Sequence, residues 1–216
     1  MGRRSYSQYC GLARALDLVG ERWTLLIVRD LAVAPRRFTD LLGGLPGMGT
    51  SLLSERLRNL EDDGVIRRTV ADRPARSVVY ELTDSGRQLA TAIAPLGVWG
   101  ATHLSAVADQ EFRPDWMAFT IRSLFRAEAA RGVHDCYEFR LADFTLWVTV
   151  DDGQISITEH EPRAADFVLI TDPGTLAALG SGQLSPETAA KQGRAQYQGD
   201  PEAGLRALRI FGAPKS

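Results

Sequence analysis

The amino-acid sequence predicts an α+β chain in two units: helices closed by a β-hairpin, then a mainly antiparallel sheet covered by helices. Three observations predict it. Apolar residues recur at helical spacing from Leu12 to Leu60 and then alternate from Val65 to Leu82. Alternation resumes near Tyr137, after the composition shifts around Asp109–Pro114. The charge also divides: residues 1–107 carry 14 Lys+Arg against 11 Asp+Glu, and residues 108–216 carry 11 against 16. The boundary is therefore expected near residue 110, giving units 1–109 and 110–216.

The first unit opens with a helix marked by Leu12, Ala15, Leu16 and Val19 and stopped by Gly20. Trp23–Ala32 is a second, strongly apolar helix ended by Pro35. A short third helix, Phe38–Leu42, stops at Gly43 and Gly44. Thr50 or Ser51 can cap the fourth, which runs to about Asp62 with Leu53, Leu57 and Leu60 on its buried face. Gly64 ends it. Val65–Val70 and Ser77–Leu82 are paired strands around a turn at Asp72–Arg76, the second with an apolar face at Val78, Tyr80 and Leu82. Thr83 caps a long helix reaching about Ala108, with Pro95 as a kink or break.

In the second unit, helix near Asp115–Arg131 gives way to strands. Tyr137, Phe139 and Leu141 share one face, as do Phe144, Leu146, Val148 and Val150. Asp152-Gly153 is a hairpin signal before Ile155 and Ile157, and Asp166–Thr171 is a further strand. The remainder reads as helix: Pro173–Leu179, Ser185–Lys191 and Pro201–Phe211. Trp147 falls on the opposite, polar-looking sheet face between Thr145 and Thr149, where it is expected to pack against the first unit or another subunit.

Helix, turn, helix, strand, turn, strand is the order of a winged helix-turn-helix, whose fourth helix presents its outer face to a DNA major groove. With the leucines buried, Thr50, Ser51, Ser54, Glu55 and Arg58 face solvent. Small hydroxyls and free N–H groups at a helix N-terminus suit phosphates and base edges, and Arg58 can reach either. The doubly basic turn Arg73-Pro-Ala-Arg76 fits the minor groove or backbone. Candidate DNA contacts are Arg37, Thr50, Ser51, Ser54, Arg58, Arg73 and Arg76.

The stretch Cys10 to Leu31, with Leu-Asp-Leu-Val-Gly-Glu-Arg-Trp23, resembles the signature of the HxlR-type winged-helix regulators. So do Arg37-Phe38-Thr-Asp-Leu41, Leu53-Ser-Glu-Arg-Leu57-Arg-Asn-Leu60, Val79-Tyr80-Glu-Leu-Thr83 and Trp99-Gly100. The resemblance spans residues 10–104. It implies a homodimer built through the first helix and the helix after the wing, bound to a palindromic operator of double-stranded DNA. One departure is Gly11, where the family usually has proline. In some relatives the cysteine matching Cys10 is a redox sensor. Here Arg3, Arg4 and Arg14 could lower its pKa, and a packed residue near the dimer contact is the plainer reading.

Residues 112–212 resemble the sterol-carrier-protein-2-like fold. The carrying residues are Trp147 to Ile157, Asp166 to Asp172, Gly182 to Lys191 and Gly193 to Asp200, followed by Leu205, Leu208 and Phe211. Related domains hold apolar molecules between a sheet and its covering helices. The stripe reads mostly as core, and the candidate ligand contacts are Trp116, Phe119, Phe139, Leu146, Val148, Leu169, Tyr197 and Leu208. The effector is expected to be a small apolar or aromatic molecule.

Other chemistry is not indicated. His103, His134 and His160 are isolated, and H-E-x-x-H, G-x-S-x-G and P-loop motifs are absent. No enzyme activity, metal or cofactor is expected. No apolar run approaches the ~18 residues of a membrane span, the N-terminus lacks a secretory signal, and two distant cysteines form no disulfide framework, so a cytoplasmic location is expected. Three functional readings stay open: a ligand-responsive regulator, a lipid or small-molecule carrier with the winged unit as an interaction module, and a thiol-based regulator using Cys10.

Overall fold

A computed structural model describes residues 5–71, 77–101, 103 and 113–212. The chain divides into two compact units, Met1–Ile93 and Ala94–Ser216. The boundary expected at 109/110 lies outside the described residues.

In the first unit, α1 (Gly11–Val19), α2 (Thr24–Val33), α3 (Phe38–Gly44) and α4 (Thr50–Asp62) precede a hairpin of β1 (Ile66–Ala71) and β2 (Ser77–Leu82). Helix α5 (Asp84–Ala101) follows. The core is one cluster: Ile27, Val28 and Leu31 of α2, Leu41 of α3, and Leu53, Leu57 and Leu60 of α4, closed by Val65, Ile66 and Leu82. Leu89, Ala90 and Ile93 of α5 pack against it. The hairpin is antiparallel, with Ile66 opposite Leu82 and Arg68 opposite Tyr80. Arg36 adds an isolated bridge to Tyr80, both backbone bonds being made.

Several local expectations need correction. The cap of α4 is Gly49, in extended backbone, so Thr50 and Ser51 begin the helix proper. On β2, Val79 is buried while Val78 is exposed; Tyr80 and Leu82 keep their expected inward character. An isolated hairpin has different neighbours on each face, so alternation alone misplaces the valines. On α1, Ala13 and Val19 are buried, whereas Leu12 and Leu16 are exposed at 70% and 42%. The turn at residues 72–76, including Arg73 and Arg76, and the far end of the long helix lie outside the described residues.

Thr83 caps α5 as expected. Its hydroxyl accepts the Gly86 N–H at 3.1 Å and donates to the carbonyls of Gly64 and Val65 at 2.6 and 3.0 Å. A Cβ on Gly86 would stand 2.1 Å from the Val65 carbonyl oxygen, so glycine lets the helix start this close to β1.

In the second unit, α6 (Pro114–Leu124) and a 3-10 turn (Glu128–Ala130) lead into β3 (Cys136–Leu141), β4 (Phe144–Asp151), β5 (Gln154–Thr158) and β6 (Phe167–Thr171). Then come α7 (Pro173–Gly180), α8 (Pro186–Lys191), β7 (Ala195–Gly199) and α9 (Pro201–Phe211). The sheet order is β5-β4-β3-β6-β7. All pairs are antiparallel except β3–β6, which is parallel because the chain crosses over before β6. Asp152 and Gly153 both take positive φ (44° and 81°), the geometry of a tight hairpin turn. Strand β7 was not among the expected elements: Ala-Gln-Tyr-Gln-Gly is short and polar, and only Ala195 in it is buried. Helix α6 stops at Leu124, earlier than the expected Arg131.

Replacing Thr83 by Ala is expected to lower stability by about 1 kcal/mol, since three bonds at one helix start are lost. Urea unfolding followed by circular dichroism measures it.

Candidate functional site

Two sites carry the predicted functional residues, one in each unit. In the first, α4 separates its faces cleanly. Leu53, Arg56, Leu57 and Leu60 are buried, and Thr50, Ser51, Ser54, Glu55 and Arg58 are exposed. The fold therefore brings four of the seven candidate DNA contacts onto one solvent-facing helix surface. Ser54 donates its hydroxyl to the Thr50 carbonyl at 2.9 Å, an exchangeable bond on an exposed helix. Arg37 stands elsewhere, half-buried at the start of α3, where its backbone N–H donates to Asp40 at 3.0 Å.

The strands of the wing carry further cations. Arg67 and Arg68 are exposed on β1. Arg67 pairs with Glu81 at 2.7 Å, and the Arg68 guanidinium lies 5.8 Å from the Tyr80 ring centre. Cys10 is exposed immediately before α1, in extended backbone. Cys136 is buried, and burial pushes its thiol pKa up, the character of an inert packed cysteine.

The second site is a cavity of about 320 Å³ inside the second unit. Its floor is a row across the sheet: Phe139 on β3, Leu169 on β6 and Tyr197 on β7 are direct cross-strand neighbours. Ile121 and Leu124 of α6, Leu176 and Leu179 of α7, and Leu205, Leu208 and Phe211 of α9 complete the walls. None of the lining residues is ionisable apart from Tyr197, whose hydroxyl donates to the Pro186 carbonyl at 3.2 Å. Phe167 stacks on Tyr197 with centres 6.1 Å apart. The exposed rim lies on β7 and α9, where Leu205 and Leu208 are 54% and 43% accessible.

Of the eight expected ligand contacts, Phe139, Leu169, Tyr197 and Leu208 line this cavity. Leu146 and Val148 do not. They share the inward sheet face but sit on β4, where the core is closed over them and both are buried. Trp116 and Phe119 also fall outside the lining: α6 turns Met117, Ala118 and Ile121 inward, and the residues beside them project elsewhere. Gly180 and Gly204, which also line the cavity, were not among the expected contacts. A Cβ on Gly180 would lie 2.3 Å from Leu124, and one on Gly204 2.6 Å from the Phe167 ring. Glycine inside a helix was the available signal, because it marks close approach. On the other sheet face Trp147 is half-buried between Glu138 and Thr158.

Helix α9, which closes the cavity, is tied to the sheet by charge. The Arg206 guanidinium grips buried Asp135 at 2.6 and 3.0 Å, and the Tyr137 hydroxyl donates to the same carboxylate at 2.7 Å. Burial alone would raise the Asp135 pKa; the bonds from Arg206 and Tyr137 outweigh it and hold the carboxyl below its usual range. At the end of α9, the Arg126 N–H donates to the Ile210 carbonyl at 3.0 Å and its guanidinium to that of Arg209.

An exposed polar helix face beside a basic hairpin defines a winged helix-turn-helix of the kind found in transcription regulators. The chain belongs to the HxlR-like helix-turn-helix family, whose model matches residues 18–108. Residues 121–212 match the SCP-2 sterol transfer family. The HTH-type transcriptional regulator YvaP of Bacillus subtilis (strain 168) is 36% identical over 86 residues, covering 40% of this chain and 80% of that protein. The HTH-type transcriptional regulator Rv3095 of Mycobacterium tuberculosis (strain ATCC 25618 / H37Rv) is 43% identical over 93 residues. That match covers 43% of this chain and 58% of the relative, so the chain spans little more than half of that protein. A solved structure of the HTH-type transcriptional regulator ytcD is 33% identical, covering 44% of this chain and 96% of that one, with a TM-score of 0.40. Among the described residues no helix is long and apolar enough to cross a membrane.

The Asp135 clasp sets a pH dependence. A carboxyl whose folded pKa is depressed contributes stability above its unfolded value, about 3.9, and loses it as pH falls toward the folded value. Asp135→Asn is expected to cost about 3 kcal/mol at pH 7, by removing the counter-charge of Arg206 and turning one of the two acceptor oxygens into a donor NH2, and to flatten the stability profile below about pH 4. Urea titrations of both proteins from pH 7 to pH 3 check both effects.

Proposed function

We propose that this protein is a homodimeric HxlR-type transcription regulator that reads a palindromic operator and responds to a small apolar or aromatic ligand. The observation that carries the reading is the outer face of α4. Thr50, Ser51, Ser54 and Arg58 share the exposed side of a helix whose other side is locked into the core, the arrangement a major-groove reader needs. The exposed cations of β1 extend the surface that can meet phosphates, and Arg73 and Arg76 continue the basic character in the sequence of the turn.

Dimerisation is supported by exposed apolar surface. Tyr9, Leu12 and Leu16 are exposed along the entry to α1 and its outer face, and Leu96 and Trp99 are exposed on α5. Large apolar side chains left exposed on either segment are costly to leave in water and suit an interaction surface. A second copy of the chain is the occupant we assign to them.

Ligand response is supported by the cavity. A space of about 320 Å³ lies at the lower end of ligand pockets, and its lining offers an entering molecule no cation or carboxylate. Placing an ionised group there would forfeit its hydration without a partner, so the effector is uncharged in the part that enters. The carrier reading shares this cavity and differs only in what the first unit does.

The test is selection of double-stranded DNA from a random pool by the full-length protein, followed by footprinting. One sharp inverted repeat is expected. Arg58→Ala is expected to weaken binding to it roughly ten-fold, within the range for loss of one arginine contact to a base edge or phosphate. Mass spectrometry of molecules extracted from the purified protein is expected to recover an uncharged apolar compound that Leu208→Trp, at the cavity rim, excludes. Recovery of such a compound with no DNA preference at all would favour the carrier.

A further inference from the structure

The buried stripe of α4 contains one charge. Arg56 occupies the i+3 position between Leu53 and Leu57 and is only 9% exposed. Each of its three guanidinium nitrogens makes a bond. Nε donates to the Arg22 backbone carbonyl at 3.4 Å, one terminal nitrogen pairs with Glu21 at 3.1 Å, and the other pairs with Glu55 at 3.0 Å. Arg22 and Glu21 belong to the turn that joins α1 to α2.

That turn is itself tightly held. A Cβ on Gly20 would stand 2.5 Å from the Leu16 carbonyl oxygen, and Trp23 adopts φ of +79°, a left-handed conformation that a bulky side chain keeps only when its surroundings impose it. The Trp23 ring lies 4.0 Å from where a Cβ on Gly47 would be, in the loop leading into α4, and carries the Arg22 guanidinium 5.1 Å from its centre. The turn thus touches the approach to α4 through Trp23 and the body of α4 through Arg56.

An arginine is a poor choice for stability at such a place. Removing it from water is costly, and an apolar side chain of similar volume often does as well or better. What the guanidinium adds is direction, through donors fixed in one plane. We infer that Arg56 is a positioning residue for DNA reading: it fixes the rotation of α4 about its own axis against the α1–α2 turn and ties α4 to α1. The lever is short. Side-chain tips stand about 5–6 Å from a helix axis, so a rotation of about 10° displaces Ser51, Ser54 and Arg58 by about 1 Å, enough to spoil bidentate contacts to bases. This rests on the proposed DNA reading and assigns a role to a side chain that touches no DNA.

The experiment compares wild type, Arg56→Met, Arg56→Lys and Glu21→Ala in the full-length protein. The readout is the ratio of affinity for the duplex selected by wild type to that for a scrambled duplex of equal length, with thermal unfolding measured alongside. Arg56→Met is expected to fold with a midpoint near wild type, to keep its affinity for scrambled DNA, and to lose about ten-fold in the ratio, the cost of roughly one misread base pair. Arg56→Lys is expected to recover part of the ratio, because it keeps the charge and loses the fork. Glu21→Ala removes an exposed partner without disturbing the core and is expected to lower the ratio about three-fold, a loss typical of one surface-linked charge pair. An unchanged ratio in folded Arg56→Met overturns the inference. Should that variant fail to fold, an unchanged ratio in Glu21→Ala overturns it instead. If wild type selects no duplex, the DNA reading falls, and the inference with it; a sharp wild-type preference that the variants retain sinks the clasp alone.

Discussion

The first unit depends on one shared core, into which α4 sends its inward stripe and α2 its own. Leu53, Leu57 and Leu60 are almost inaccessible, as are Ile27 and Val28 in the same cluster. Burying side chains of this size contributes about 1.5–3 kcal/mol each, which outweighs the weak preference of Thr50, Ser51 and Ser54 for non-helical backbone. The polar turn of α4 is therefore held by residues that never face DNA. Gly49 in extended backbone supplies the helix start and leaves both hydroxyls of the first turn available to solvent. Had Thr50 capped the helix, its oxygen would have been consumed by a backbone N–H.

The second unit faces the opposite requirement, since it must keep an apolar interior partly empty. Close packing normally fills such space. Here the row Phe139, Leu169 and Tyr197 forms a flat floor, and the helices above are held where they are by specific contacts rather than by collapse onto it. Gly180 and Gly204 bring α7 and α9 against Leu124 and Phe167 at distances no β-carbon allows. The Asp135–Arg206 clasp and the bonds from Arg126 fix α9 along its length. Glycine sets the approach and the ion pair sets the direction, so the roof is supported at its edges.

Much of this was legible in the sequence, and the exceptions share a cause. The element order of the first unit, the hairpin at Asp152-Gly153 and the Thr83 cap follow from local chemistry: period, turn residues and a hydroxyl before a helix. The errors arise where a neighbour distant in sequence decides. Val79 rather than Val78 is buried because of what lies on each side of the hairpin. Strand β7 exists because β6 offers it an edge, and its own residues barely favour it. Leu146 and Val148 share a face with Phe139, but the cavity begins only where the helices leave room. Arg56 interrupts a leucine stripe with a charge, a pattern that marks a buried ion pair but does not say with what.

The two units give a regulator different kinds of rigidity. α4 is over-determined, and a small rotation would cost contacts on both its leucines and its arginine. Helix α9 buries Ala203, Ile210 and Phe211, leaves Leu205 and Leu208 exposed at the cavity rim, and is also held by the Asp135–Arg206 ion pair. A ligand filling the cavity would replace exposed leucine surface by contact and so favour the α9 position seen here. The proposed regulation then requires ligand affinity to differ between DNA-bound and free protein. Reciprocity makes the demand symmetrical: whatever factor the ligand imposes on operator affinity, the operator must impose on ligand affinity, and factors of this kind are typically worth about 1–3 kcal/mol. That is comparable to burying one or two leucine side chains such as Leu205 and Leu208, so covering the cavity rim would supply free energy of the size the proposed regulation needs.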